Sequence, residues 1–156
     1  MEGWYVMREE FNMTWYKNSE GRHGAKGAKG DAGEELVKQY LEEKKIDYEH
    51  KTDRNSQVNK KIDFIVEDTT MDVKTNAFKD YLALEIETSK GTPGWLYTST
   101  AEEIYGVDLE KEEIYKYNLS EMREYAEKNL HRAKKTKNGS VLIWVHKENK
   151  LIERLQ

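Results

Sequence analysis

The order of its periodic segments (one helix, a run of short strands, a second helix and closing strands) predicts a chain of the α/β class, or α+β, built on a mixed sheet. Three observations carry this. Leu36, Val37, Tyr40 and Leu41 recur at helical spacing. Apolar and polar residues alternate through "KIDFIVE", "MDVKT" and "YLALEIET", as half-buried strands require. The segment "LSEMREYAEKNLHRAKK" returns to the helical period before the apolar run "SVLIWVH". At 156 residues the chain has the length of one domain and can bury a core without metal or disulfide staples.

Taken in order, residues 1–20 are rich in aromatics without a clean period and read as a short element packed on the body. "GRHGAKGAKGDAGEE" follows, with glycine at every third position from Gly21 to Gly33. Its five triplets are too few and too poor in proline for collagen, and it matches neither a Walker loop nor a dinucleotide fingerprint. It reads as a mobile basic lead-in to a helix over about residues 33–45, and the extension as a whole covers residues 1–30. "IDYEHKT" is a strand, "DRNSQVNKK" a polar turn and "KIDFIVE" a strand. "DTT" turns the chain into "MDVKT", where Asp72 and Lys74 share one face and Met71 and Val73 the other. "YLALEIET" is a strand with Glu85 and Glu87 on a common face, "SKGTPGW" a loop, and "AEEIYGVD" with "EEIYKYN" a hairpin. Ser120 is placed to cap the second helix, and Asn138-Gly139 ends the run after it. The residues from 136 to 156 form a strongly apolar strand and a weaker partner.

Composition narrows the classes. Without cysteine there is no thiolate chemistry, no Cys-ligated zinc and no disulfide framework. The N-terminus lacks a signal-peptide pattern and no stretch approaches the ~18 apolar residues of a membrane span, so a soluble cytoplasmic protein is expected. The net charge of -4 argues against indiscriminate nucleic-acid binding but averages two opposed regions. Residues 122–138 hold six cations against two acids, and residues 101–113 hold six acids against one lysine. The four histidines show no metal spacing and read as surface or packing residues. Trp95, beside Pro93-Gly94, is a core aromatic that could also stack on a base.

One constellation carries chemistry. Phosphodiester hydrolysis assisted by a divalent ion needs hard oxygen ligands and a cation near the attacking water. Asp63 on one strand, with Asp72 and Lys74 on the next, supplies that set, because paired strands lie about 4.8 Å apart. A third carboxylate comes from the first helix. At ~100° per residue Glu34 falls roughly 90° from the centre of the apolar stripe and borders the core, while Glu35 points to water. Glu85 and Glu87 are reserve ligands.

With these residues, "GEELVKQYL" (Glu34), "KIDFIV" (Asp63) and "MDVKT" (Asp72, Lys74), the chain resembles the PD-(D/E)XK nuclease superfamily over about residues 30–132. The tail of the likeness is similar to small phage-type and Holliday-junction-resolvase-like members. The resemblance implies a restriction-endonuclease-like core over residues 31–135, a central mixed β-sheet flanked by helices. It implies Mg²⁺-dependent cleavage of DNA leaving a 5′-phosphate, with Mn²⁺ as substitute. Carried over, Asp63 and Asp72 are metal ligands, Glu34 holds a water or a second ion, and Lys74 positions or activates the water. Ile62 stands where the motif has proline. Arg22, Lys26 and Lys29, with Arg132, Lys134 and Lys135, are expected to follow the DNA backbone. Resolvases act as symmetric dimers, so a homodimer is plausible on the same resemblance, in a prokaryotic cell or a phage-infected host. The alternative is an inactive module of the same fold that binds DNA or a protein partner.

Overall fold

The computed structural model describes the backbone of residues 24–156, with side chains from residue 28 on. The element expected over residues 1–20, together with Arg22, lies outside the described residues, as does the side chain of Lys26.

Helix α1 spans Gly24–Glu43, nine residues longer at its start than the apolar stripe predicts. The expected flexible lead-in is helical from Gly24 on. Alanines at 25, 28 and 32 alternate with the glycines, and the docked second half propagates helix into them. Val37, Tyr40 and Leu41 bury that half, whereas Glu35 is exposed as the helical wheel predicts. Gly33 is buried, and a Cβ there would lie 1.9 Å from Thr75 Oγ1, so it is the closest approach of helix to sheet that requires glycine.

Strand β1 (Tyr48–His50) leads into a π-helical turn over Asn55–Lys60, where the sequence predicts an irregular turn. Strands β2 (Phe64–Val66) and β3 (Thr69–Lys74) pair antiparallel. Their hairpin turns at Glu67-Asp68, both at positive φ, and not at the threonines that follow. A second hairpin, β4 (Ala77–Phe78) and β5 (Tyr81–Glu87), is followed by a single-turn helix α2 (Trp95–Thr98) where a loop is expected. The acidic hairpin β6 (Glu103–Asp108) and β7 (Glu113–Asn118) forms as predicted. Helix α3 covers Leu119–Lys128 only, and its cap is Asn118, whose Oδ1 accepts from Glu121 N at 2.9 Å, rather than Ser120. A 3₁₀ turn (Leu130–Arg132) and strands β8 (Lys134–Lys135), β9 (Val141–His146) and β10 (Glu153–Arg154) complete the order.

The strands divide between two sheets. The first is mixed, in order β1-β2-β3-β6-β7-β10, with β3 and β6 parallel; the second is antiparallel, in order β4-β5-β9-β8. The closing strands therefore do not pair with each other: β9 joins β5 and β8, and β10 joins β7. The architecture is α/β with helices against a mixed sheet. Alternation on the central strands assigns one core to each face. Phe64, Met71, Tyr105, Val107 and Ile114 pack against α1, while Ile104, Tyr115 and Tyr117 meet Leu82, Leu84, Ile143 and Val145 of the second sheet and Met122 of α3. Lys147 is buried between Asp108 at 2.7 Å and Glu113 at 2.8 Å and fastens the end of β9 to the β6–β7 hairpin. Among the described residues, no helix is long and apolar enough to cross a membrane.

Candidate metal centre

The β2–β3 hairpin sets two carboxylates side by side. Asp63 lies just before β2, not in mid-strand, yet the ladder continues through it, because its N–H donates to Met71 O at 2.8 Å. Phe64 and Met71 turn toward α1, so Asp63 and Asp72 take the opposite face. Both are buried, at 8% and 2% exposure, an expensive place for two acids. Asp63 Oδ2 accepts from Val73 N at 2.8 Å. Asp72 Oδ2 is buried without accepting a hydrogen bond; its nearest cation is Lys74 Nζ at 3.4 Å.

The electrostatics follow from this burial. Desolvation lifts the Asp72 carboxyl to about 7; Lys74 opposes the rise and Asp63 adds to it. Asp63 is raised by burial and then by the charge of Glu34, against the hydrogen bond from Val73. Glu34, on α1, is raised by burial and feels Asp72 as a further repulsion. The four residues singled out in the sequence thus come together from three elements: Glu34 from α1, Asp63 ahead of β2, and Asp72 with Lys74 from β3. Among the described residues, however, no three acidic or imidazole groups are already placed to hold one metal ion. Glu34 is engaged elsewhere: His50 Nε2 stands 3.0 Å from its Oε1.

His50 is the residue that sequence reasoning assigns to surface or packing and that the structure places beside the acids. Its ring stacks on Phe64, with centroids 4.5 Å apart and planes within 8°, and the two residues are register partners across β1 and β2. It therefore ties the carboxylate of α1 to the strand that follows Asp63. The available signal was the pairing of "YEH" with "FIV", which puts His50 opposite the residue after Asp63.

Lys74 faces the other rim. Its Nζ lies 5.3 Å from the Trp95 ring centre, and Trp95 opens α2 instead of standing free in a loop. Glu85 Oε1 accepts from Trp95 N at 3.1 Å and so caps α2. Glu87 is exposed. The basic residues expected at the DNA are dispersed. Arg132 donates to Tyr125 Oη at 2.8 Å, and Lys134 and Lys135 lie on β8, the edge of the second sheet, with β9 between them and β5. Lys29 lies on α1. A cleft of about 730 Å³ lined by Lys111, Tyr115, His146, Lys147 and Arg154 includes none of the four site residues, and Lys147 and Arg154 both pair with Glu113.

The donor set suits a hard divalent cation. Two buried carboxyls, one with an oxygen that accepts no hydrogen bond, stand beside the Lys74 ammonium and offer oxygen donors that a cation would hold in their charged form. No known protein family, curated protein or solved structure matches this chain.

Proposed function

We propose that the protein is a metal-dependent DNA endonuclease that hydrolyses phosphodiester bonds, with branched or recombination DNA as one candidate substrate. One observation carries the reading: Asp72 is buried beside Asp63, its Oδ2 accepts no hydrogen bond, and Lys74 stands 3.4 Å away. A fold does not bury two carboxylates side by side for stability, and such a pair is useful where a cation is to be held.

Asp63 and Asp72 would hold Mg²⁺ or Mn²⁺, and Glu34 stands behind them for a water or a second ion. Such an ion, when bound, neutralises the phosphate and lowers the pKa of a water. The remaining work falls to the chain's own groups. Lys74, aligned by Asp72 and by the face of Trp95, orients the attacking water and offsets the negative charge that grows on the phosphoryl oxygens. Water oxygen bonds to phosphorus as the bond from phosphorus to O3′ breaks, leaving a 5′-phosphate and a 3′-hydroxyl. Glu34, held by His50, would take the proton released from water.

A second reading has its own support. Glu34 is tied to His50 and no three-ligand cluster is assembled among the described residues, which suits a module of the same fold that binds DNA or a protein partner without cutting. Wild type and Lys74→Ala, incubated with labelled duplex, single-stranded and four-way-junction DNA in Mg²⁺, Mn²⁺ or EDTA, separate the two. Metal-dependent cutting by the wild type alone supports the nuclease. Equal binding by both proteins without cutting supports the module.

A further inference from the structure

Resting on the nuclease reading, we infer that the turn between β1 and β2 is the clamp that grips the DNA backbone next to the carboxylates. Residues 51–61, "KTDRNSQVNKK", contain Lys51, Arg54, Lys60 and Lys61 against the single acid Asp53. That acid is exposed but tied to the turn's own backbone: its Oδ2 accepts from Ser56 N at 2.9 Å and its carbonyl from Gln57 N at 3.2 Å. Lys51 pairs with Glu49 at 3.2 Å, whereas Arg54, Lys60 and Lys61 form no ion pair with any described residue. Arg54 and Lys60 are exposed and Lys61 half-buried, on the turn that leads into a site that, on this reading, receives a polyanion.

The turn is also built to hold its shape. Gln57 Nε2 donates to Lys51 O at 2.7 Å, Asn59 Nδ2 to Asn55 Oδ1 at 3.1 Å, and Ile62 N to Ser56 O at 2.8 Å. It is fastened to the connection after α2, where Thr100 N donates to Lys60 O at 3.1 Å and Ser99 Oγ to Lys61 O at 3.4 Å. The chain leaves this turn directly into Asp63, and Ser99 lies beside Asp72. Cations on a frame fixed to both carboxylates lose little freedom when a phosphate arrives. At the outer side of the turn Val58 is 52% exposed, the most exposed large apolar side chain among those described, and it offers a contact for sugar edges between the phosphates. The cations of the 3₁₀ turn and β8 have no comparable link to Asp63 or Asp72.

Fluorescence anisotropy with a short labelled duplex in EDTA, from about 50 to about 200 mM salt, tests the assignment through the number of phosphates neutralised. Substituting Arg54, Lys60 and Lys61 together by glutamine is expected to weaken binding roughly tenfold to a hundredfold at the lower salt and to reduce the log–log salt slope by about 2 to 3. Lys60→Arg with Lys61→Arg keeps the slope, and the same glutamine exchange at Lys44, Lys45 and Lys150, exposed residues outside the turn, leaves it unchanged. A wild type that cuts DNA, alongside a first triple variant with unaltered affinity and slope, overturns the clamp and leaves the nuclease standing. A wild type that neither binds nor cuts removes both.

Discussion

Asp72→Asn is expected to stabilise the metal-free protein while abolishing metal binding. Burial lifts the Asp72 carboxyl from 3.8 to about 7. Between these values the native chain retains a proton that the unfolded chain has released, so this group makes stability fall as pH rises from about 4 to about 7. Above that window the native state carries the full penalty of a buried charge. At ~1.36 kcal/mol per pH unit the shift corresponds to at most about 4 kcal/mol, and sharing of the titration with Asp63 brings the expected gain to about 1 to 3 kcal/mol. The lost ion pair with Lys74 subtracts little, because that lysine is partly exposed. Urea unfolding in EDTA should show the asparagine variant more stable at about pH 8 and equal to wild type at about pH 4. Millimolar Mn²⁺ should then raise the midpoint of the wild type and not of the variant. A variant no more stable than wild type at the higher pH, or equally displaced at both, refutes the claim that Asp72 is a desolvated acid awaiting a cation.

Three further outcomes follow from contacts described above. Gly33→Ala drives a methyl into Thr75 Oγ1 and should cost about 1 to 3 kcal/mol, whereas Gly30→Ala, with nothing within 4 Å of its Cβ, should gain up to about 1 kcal/mol; thermal melts of the pair check both signs. His50→Ala releases Glu34 and should lower Mn²⁺ affinity roughly tenfold by calorimetry, with His50→Gln retaining most of it; equal affinities in all three proteins contradict a positioning role. Lys147→Ala leaves the buried Asp108 without its cation, while Glu113 keeps Arg154, and should cost about 3 to 5 kcal/mol in urea unfolding, which a loss below about 1 kcal/mol would disprove.

What the sequence made legible was local. The stripe of α1 and the alternation through residues 62–66 and 71–74 place the acids and Lys74 by themselves, since side-chain direction in a strand has a fixed period of two. The β6–β7 hairpin was readable for the same reason. Pairing between distant segments was not: nothing in "LIERL" says that it joins β7 and not β9, and nothing in "YLALEIE" names β9 as its partner. The helix through the glycine triplets was missed because each glycine argues against it, while docking of the downstream half decides it. His50 was missed because its role depends on the distance between a strand and a helix, which no periodicity records.

The insertion of β9 between β5 and β8 has a consequence for the order in which the molecule assembles. During synthesis the α1, β1–β3 and β6–β7 segments emerge before β9 and can begin the mixed sheet, to which β10 is added at the β7 edge. Residues 81–87 then wait, apolar side out, for residues 141–146 to leave the ribosome. Ile143 and Val145 supply the far wall of the core that covers the Asp72 face of the mixed sheet. The core over the Asp72 face therefore draws on a strand far along the chain from the one that carries Asp72, and the burial that raises its carboxyl depends on that long-range pairing.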